Sequence, residues 1–432
     1  MMDAPSNLWF NGRENVGRMQ RKLVGSFLAT VLLASLLAAL EPSDDAAETS
    51  VDPSGSSGDN RSVAQGAPDL RPDACDHPGN GQGSHQSCSG EPDPYRHLQW
   101  ALDKIQAEEA WSHATGRGIV IAILDSGVER NHPDLRDRLI WIQEADIVDP
   151  QGPDGPEDAA GHGTIVAGIA AAATHNGIGI AGVAPGAMIL PVRVFPVEAN
   201  QSEFPPLGLG SDVSTYQHLL DPWQWAEGIT FAVENGAHVL SISSDLGLPF
   251  RLAGRHEAMI AAIDHAWKNG AVIVSSAGNN AQPYCAEPAS HPRVLCVGAT
   301  ARDDLLAEYS NHDHLHPNYL VAPGGATKDD PAVSGQDACW GYVVSTERTW
   351  NSSLFCDAVE VGYDAFGGTS MAAPQVAAVA ALLFELGLTN EEIVDRILCT
   401  ADDLGEPGRD PLYGYGRVNA LRAVTNDRNP DC

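Results

Sequence analysis

Beyond Asp93 the chain is predicted to be α/β, a doubly wound and mostly parallel central sheet with helices on both faces. Short, continuous apolar runs bounded by Gly, Asn, Pro or charged residues read as strands buried on both sides. Longer stretches with helical spacing separate them, the alternation that a parallel sheet needs for its crossovers. No period of about 20 to 50 residues recurs, so a solenoid or propeller has no support.

In chain order the predicted strands are Ile119–Leu124, Ile189–Val194, His238–Ser243, Ala271–Ser276 and Val294–Gly298. The predicted helices are His162–Ala173, Trp223–Glu234, His256–Lys268 and Ser370–Leu386. Sheets of this class bind ligands beyond the carboxyl ends of their strands, which directs attention to residues just after the apolar runs.

The flanks read differently. Arg13, Arg18, Arg21 and Lys22 precede the apolar run Leu23–Leu40, so residues 1–40 have the layout of an export signal. That run is long for a cleaved signal and near the minimum for a membrane-spanning helix, so cleavage and retention of residues 23–40 as an anchor both stand. Cleavage implies a secreted protein, extracellular or periplasmic; retention tethers it to a membrane. Residues 41–92 are rich in Ser, Gly, Pro and Asp, cannot offset the entropy of ordering, and read as a flexible linker or processed segment. Residues 93–432 read as one folded domain, expected to be monomeric.

Lys and Arg number 25 against 57 Asp and Glu, for a formal charge of −32, which argues against a nucleic acid partner because phosphate binding needs clustered cations. The 8 cysteines form an even set, and in an exported chain disulfides are the default. Sequence neighbours pair as Cys75–Cys88, Cys285–Cys296, Cys339–Cys356 and Cys399–Cys432, although on the order of 100 connectivities are formally possible. Zinc-type spacing and phosphate- or dinucleotide-binding glycine loops are absent from the sequence, so no organic cofactor is expected.

Four junctions carry chemistry. Asp125 closes the run Ile119–Leu124 and precedes Ser126-Gly127, placing a carboxylate at a strand's carboxyl end where it can orient an imidazole. His162 stands in Gly161-His162-Gly163-Thr164 at the start of an Ala-rich helix, with glycines that permit close backbone approach. Ser370, in Gly368-Thr369-Ser370-Met371-Ala372-Ala373-Pro374, begins an apolar helix whose N-terminal N–H groups favour developing negative charge. Asn279, in Ser276-Ala277-Gly278-Asn279, closes another apolar run and carries an amide able to donate to an oxyanion. Each has an ordinary structural reading as a turn residue or helix cap. An Asp, a His and a Ser in that order, with an Asn donor between the last two, together point to nucleophilic catalysis.

The chain from about Asp93 to Val424 resembles the subtilisin-like serine peptidases, and the opening Asp93-Pro94-Tyr95 with Lys104-Ile105-Gln106-Ala107 is similar to the thermitase-like members. The order Asp, His, Ser is that of subtilisin. The resemblance implies a secreted serine endopeptidase acting on polypeptides through an acyl-enzyme on Ser370. His162 is then general base and acid, Asp125 orients it, and Asn279 with the Ser370 N–H forms the oxyanion hole.

His132-Pro133-Asp134-Leu135 and Asn176-Gly177-Ile178-Gly179-Ile180 match family segments that jointly hold a structural calcium ion. By that match the ligands are Asp93, Asp134, the Asn176 side chain and the carbonyls of Thr174, Ile178 and Ile180, hard oxygens of the kind calcium takes. Substrate-binding residues carried over are Ser243, Leu246 and Gly247, where Ser243-Ser244-Asp245-Leu246-Gly247 replaces the usual Ser-Leu-Gly-Gly. Further departures are the Pro-rich stretch Pro196–Pro222, a cysteine-bearing insertion between Gly325 and Gly367, Gln375 in place of a His, and no recognisable folded propeptide before Asp93. Competing readings are a slow or partner-activated binding protein on a peptidase scaffold, and an esterase or peptide transferase on the same fold.

Overall fold

The structure is a computed structural model, and it describes residues 92–158, 160–195, 222–244, 255–326, 338–350, 356–430 and 432. Its strands are β1 Val120–Asp125, β2 Met188–Arg193, β3 Val239–Ile242, β4 Val272–Ser276, β5 Val294–Thr300, β6 Tyr319–Pro323, β7 Val343–Thr346 and β8 Tyr363–Phe366. Its helices are α1 Trp100–Lys104, α2 Ala107–Ala110, α3 His162–Ala171, α4 Pro222–Glu234, α5 Arg255–Lys268, α6 Ala338–Gly341, α7 Thr369–Glu385, α8 Asn390–Cys399 and α9 Ala420–Thr425.

All five predicted strands appear, in a 6-stranded sheet of order β2-β1-β3-β4-β5-β6 with every neighbouring pair parallel. The sixth, β6, escaped the sequence reading because its run is short and hemmed in by Asn318 and Pro323. Alternate residues of each strand enter different cores. Ile121 and Ile123 of β1 join a cluster with α3, α7, α8 and α9, whereas Val120, Ala122 and Leu124 join one with α4 and α5. A helix layer on each face therefore covers the sheet, which is why the strands are apolar throughout rather than alternating with polar residues.

Helix α7 runs through the larger core, with 15 of its 17 residues buried, and its many alanines let it lie close to β3, β4 and β5. A helix apolar on every side is stable only when buried on every side. At its far end the Glu385 carboxylate accepts from the backbone N–H groups of Thr115, Gly116 and Arg117 at 2.7, 2.6 and 3.0 Å.

The segment between Gly325 and Gly367 contributes the antiparallel hairpin of β7 and β8. Disulfides join Cys285 to Cys296, Cys339 to Cys356 and Cys399 to Cys432, as the neighbour pairing predicts. Cys75 and Cys88 lie outside the described residues. No helix among the described residues is long and apolar enough to cross a membrane. Replacing both Cys399 and Cys432, which are 33 residues apart, with Ser is expected to destabilise the fold by about 2–4 kcal/mol by freeing the unfolded chain. A calorimetric melting temperature equal to that of the parent would refute this.

Candidate active site

The strand order reverses at β1, which lies between β2 and β3. At such a switch point a crevice opens beyond the carboxyl ends of the strands. Asp125 ends β1, Ser243 follows β3, and Asn279 lies shortly after β4, so the loops leaving neighbouring strands deliver these side chains to one edge of the sheet.

Asp125 is 0% exposed, and both of its carboxylate oxygens face the Nδ1 of His162, at 2.8 and 2.9 Å. A carboxylate can only accept, so the proton sits on Nδ1 and the Nε2 lone pair is left for chemistry. The close approach depends on Gly163: a Cβ there would lie 1.9 Å from the Gly127 carbonyl oxygen. Any larger residue would push the start of α3 away from the end of β1.

Asp158, which the sequence reading missed, holds that helix start. Its Oδ1 accepts from the N–H groups of Ala160 and Gly161 and from the Ser126 hydroxyl; its Oδ2 accepts from the N–H and hydroxyl of Thr164. The signal was present as an Asp four residues before the His at a helix start. Ser126 Oγ in turn accepts from Gly163 N–H at 3.0 Å, so β1 and α3 share one network. Burial disfavours a charged His162, but the carboxylates of Asp125, Asp158 and Glu347 outweigh it and raise the ring above the ordinary histidine range.

Ser370 is the second residue of α7 and is 9% exposed. Its hydroxyl donates to the Ser243 carbonyl at 2.7 Å rather than to His162, and the Ser243 hydroxyl donates back to the Ser370 carbonyl at 3.0 Å. Asn279 Oδ1 accepts from both the N–H and the hydroxyl of Thr369, at 2.9 and 2.8 Å, which fixes the amide and leaves Nδ2 to face the cleft. A Cβ built on Gly368 would lie 3.7 Å from both Asn279 Nδ2 and Ser370 N. These two donors therefore flank one space that only a glycine leaves open.

Of the substrate-binding residues, Ser243 sits in this cluster, whereas Leu246 and Gly247 lie outside the described residues. Gln375, buried where relatives were expected to carry His, donates to the carbonyls of Pro323 and Met371 at 2.6 and 2.9 Å.

Of the predicted calcium ligands, the side chains of Asp93, Asp134 and Asn176 gather around one loop, with the Asn176 amide oxygen accepting from Ile178 N–H at 2.8 Å. Asp93 accepts from the Thr174 hydroxyl and from the N–H groups of His175 and Asn176, while Asp134 accepts from the Asn176 amide and from Ile180 N–H. Thr174 thus meets Asp93 through its hydroxyl. Tyr363 of β8, which the sequence reading did not single out, donates to Asp134 at 3.3 Å and packs on Gly179. Asp134 is 1% exposed; burial foremost, with the nearby charge of Asp93, pushes its carboxyl up to about 7. An acid held this way fits a cation. No group of three or more His, Cys, Asp or Glu among the described residues could hold a metal, so the other donors would be amide and carbonyl oxygens.

Asp158→Ala is expected to lower stability by about 2–4 kcal/mol, because several buried donors lose their acceptor together. Thermal melting checks it, and an unchanged midpoint would exclude the capping role.

Residues 116–416 match the model of the subtilase family, a family of peptidases. The chain is 35% identical over 335 residues to thermitase of Thermoactinomyces vulgaris, spanning 77% of this chain and 98% of that one. It is 36% identical to the thermophilic serine proteinase of Bacillus sp. (strain AK1), over 77% of this chain and 68% of that relative. Among solved structures, a protease from Pseudoalteromonas arctica PAMC 21717 superposes with a TM-score of 0.59 at 29% identity, covering 78% of this chain and 99% of the other. The chain belongs to the subtilase family and is a serine endopeptidase.

Proposed function

We propose that Ser370 is the nucleophile, His162 the general base and acid, Asp125 its orienting carboxylate, and Asn279 Nδ2 with Ser370 N–H the oxyanion hole. The observation that carries this reading is the pair of donor nitrogens, Asn279 Nδ2 and Ser370 N, each 3.7 Å from the space over Gly368 at the N-terminus of the helix that bears Ser370.

An extended polypeptide laid alongside the residues after β3 can offer an N–H to the Ser243 carbonyl and displace the Ser370 hydroxyl from it. The freed Oγ turns to His162, which takes its proton on Nε2 as Oγ bonds to the substrate carbonyl carbon. The carbonyl electron pair moves to oxygen, where Asn279 and the Ser370 N–H receive it. Collapse expels the amine, which leaves with the proton from His162. Water then attacks the ester by the same sequence, with its proton taken by His162 and returned to Ser370 Oγ.

Purified protein should cleave denatured casein, and both Ser370→Ala and a serine-directed covalent inhibitor should abolish cleavage. Full activity in the Ala variant would sink the assignment. Asn279→Ala should lower kcat by about 10²–10³ with little change in KM. Because His162 must be neutral to act, activity should fall as pH drops through its raised pKa, so the acid limb lies above that of an unperturbed histidine.

A structural calcium ion is part of this reading, held by Asp93, Asp134, Asn176 and the carbonyls of Thr174, Ile178 and Ile180. When bound it supplies positive charge to the buried Asp134 and ties the segment around Asp93 to the loop after α3. Chelator should lower the melting temperature of the parent and leave Asp134→Asn unaffected; equal melting of the parent with and without chelator would remove the ion from the account. Residues 93–432 are taken as the peptidase domain, monomeric and secreted, following an export or anchor segment at 1–40 and a linker or processed segment at 41–92. N-terminal sequencing of the exported protein distinguishes cleavage from anchorage.

A further inference from the structure

The hairpin of β7 and β8 is strapped to the helix that bears His162. Ser345 Oγ donates to the Ile165 carbonyl at 2.7 Å and Thr346 Oγ1 to the Thr164 carbonyl at 2.6 Å. A Cβ on Gly168 would lie 2.2 Å from Thr346 Oγ1, so the absence of a side chain there is what lets the Ser345 and Thr346 side chains reach the helix backbone. The Cys339–Cys356 disulfide joins the segments leading into the two strands.

This docking delivers Glu347, directly after β7, onto the turn before His162. The residue is 8% exposed, its N–H donates to the Gly362 carbonyl at 2.6 Å, and its Oε1 would lie 2.6 Å from a Cβ on Gly161. Oε1 also accepts from Arg348 N–H at 2.8 Å, and the Arg348 guanidinium lies 3.8 Å away, over the Trp350 ring.

We propose that Glu347 is a positioning residue for His162, a carboxylate that stabilises the protonated imidazole alongside Asp125 and so shifts the pH range in which the enzyme works. The proposal rests on the assignment of His162 as general base. The charged groups around the ring are Asp125 from β1, Asp158 from the turn before α3, and Glu347 with Arg348 from the hairpin. Glu129, which accepts from Thr349, and Glu157, beside Glu129 and Asp158, form the next layer. Asp125 and Asp158 are committed to His162 Nδ1 and to the helix start, so Glu347 is the carboxylate whose charge can be removed without dismantling either.

The sign is fixed by electrostatics. A negative charge favours the imidazolium, so its removal lets His162 lose its proton at lower pH and makes it a weaker base when neutral. Glu347→Gln should raise kcat/KM on a peptide amide about threefold on the acid limb and lower the alkaline plateau, so the two pH profiles cross. Glu347→Asp should retain the parent's limb. In a Ser370→Ala background, NMR titration of the His162 ring should move to lower pH on Glu347→Gln, a readout independent of turnover. Superimposed profiles with an unmoved NMR titration, or a uniform loss of rate at every pH, would overturn the proposal. Full activity in His162→Ala would instead overturn the general-base assignment and leave the electrostatic effect to be read from the NMR titration alone.

Discussion

The contact between Asp125 and His162 is the constraint around which the site is arranged. Asp125 is fully buried, and a carboxylate in that position is tolerable only if its oxygens are hydrogen-bonded. The Ser126 N–H and the His162 ring meet that demand, but only if the end of β1 and the start of α3 come almost into backbone contact. Gly163 removes the side chain that would prevent this, and the Ser126–Asp158–Thr164 network holds the two elements there. An ion pair that would be worth little at the surface thereby becomes a fixed orientation for one imidazole.

Helix α7 imposes the second constraint. Because it is buried on all sides, its N-terminus can emerge in only one place, and the residues at that terminus are all committed. Thr369 fixes the Asn279 amide, Gly368 leaves space, and Ser370 exchanges hydrogen bonds with Ser243 at the end of β3. Placing Ser370 at the start of a core helix gives it the rigidity of the core and backbone N–H groups that the helix itself does not pair.

The hairpin of β7 and β8 links the two acidic sites. Gly362 accepts both the Glu347 N–H and a hydrogen bond from the ring of His132, and neighbouring Tyr363 donates to Asp134. The same end of the hairpin, where Thr346 pairs with Tyr363 and Glu347 with Gly362, thus rests both on the turn before His162 and on the loop that gathers Asp93 and Asp134. The hairpin is held by disulfide and hydrogen bonds and by apolar packing, with Val343 and Phe366 against Ile165 and Ile169 of α3 and Val344, Tyr363 and Ala365 in the larger core.

Local signals determined a good deal by themselves. Five of the sheet's strands were legible because strands covered on both faces are written as unbroken apolar runs, and Asp125, His162, Asn279 and Ser370 were legible because each ends such a run or opens a helix beside glycines. The disulfides at 285–296, 339–356 and 399–432 followed from closeness in sequence. Asp158, Glu347 and Tyr363 were not legible, since a lone acid or tyrosine in a loop reads as solvated surface until a partner element is packed against it. The antiparallel hairpin, its docking along α3 and the strand reversal at β1 join residues far apart in the chain. Only tertiary structure decided them, because no local propensity encodes which distant element will bury a given side chain.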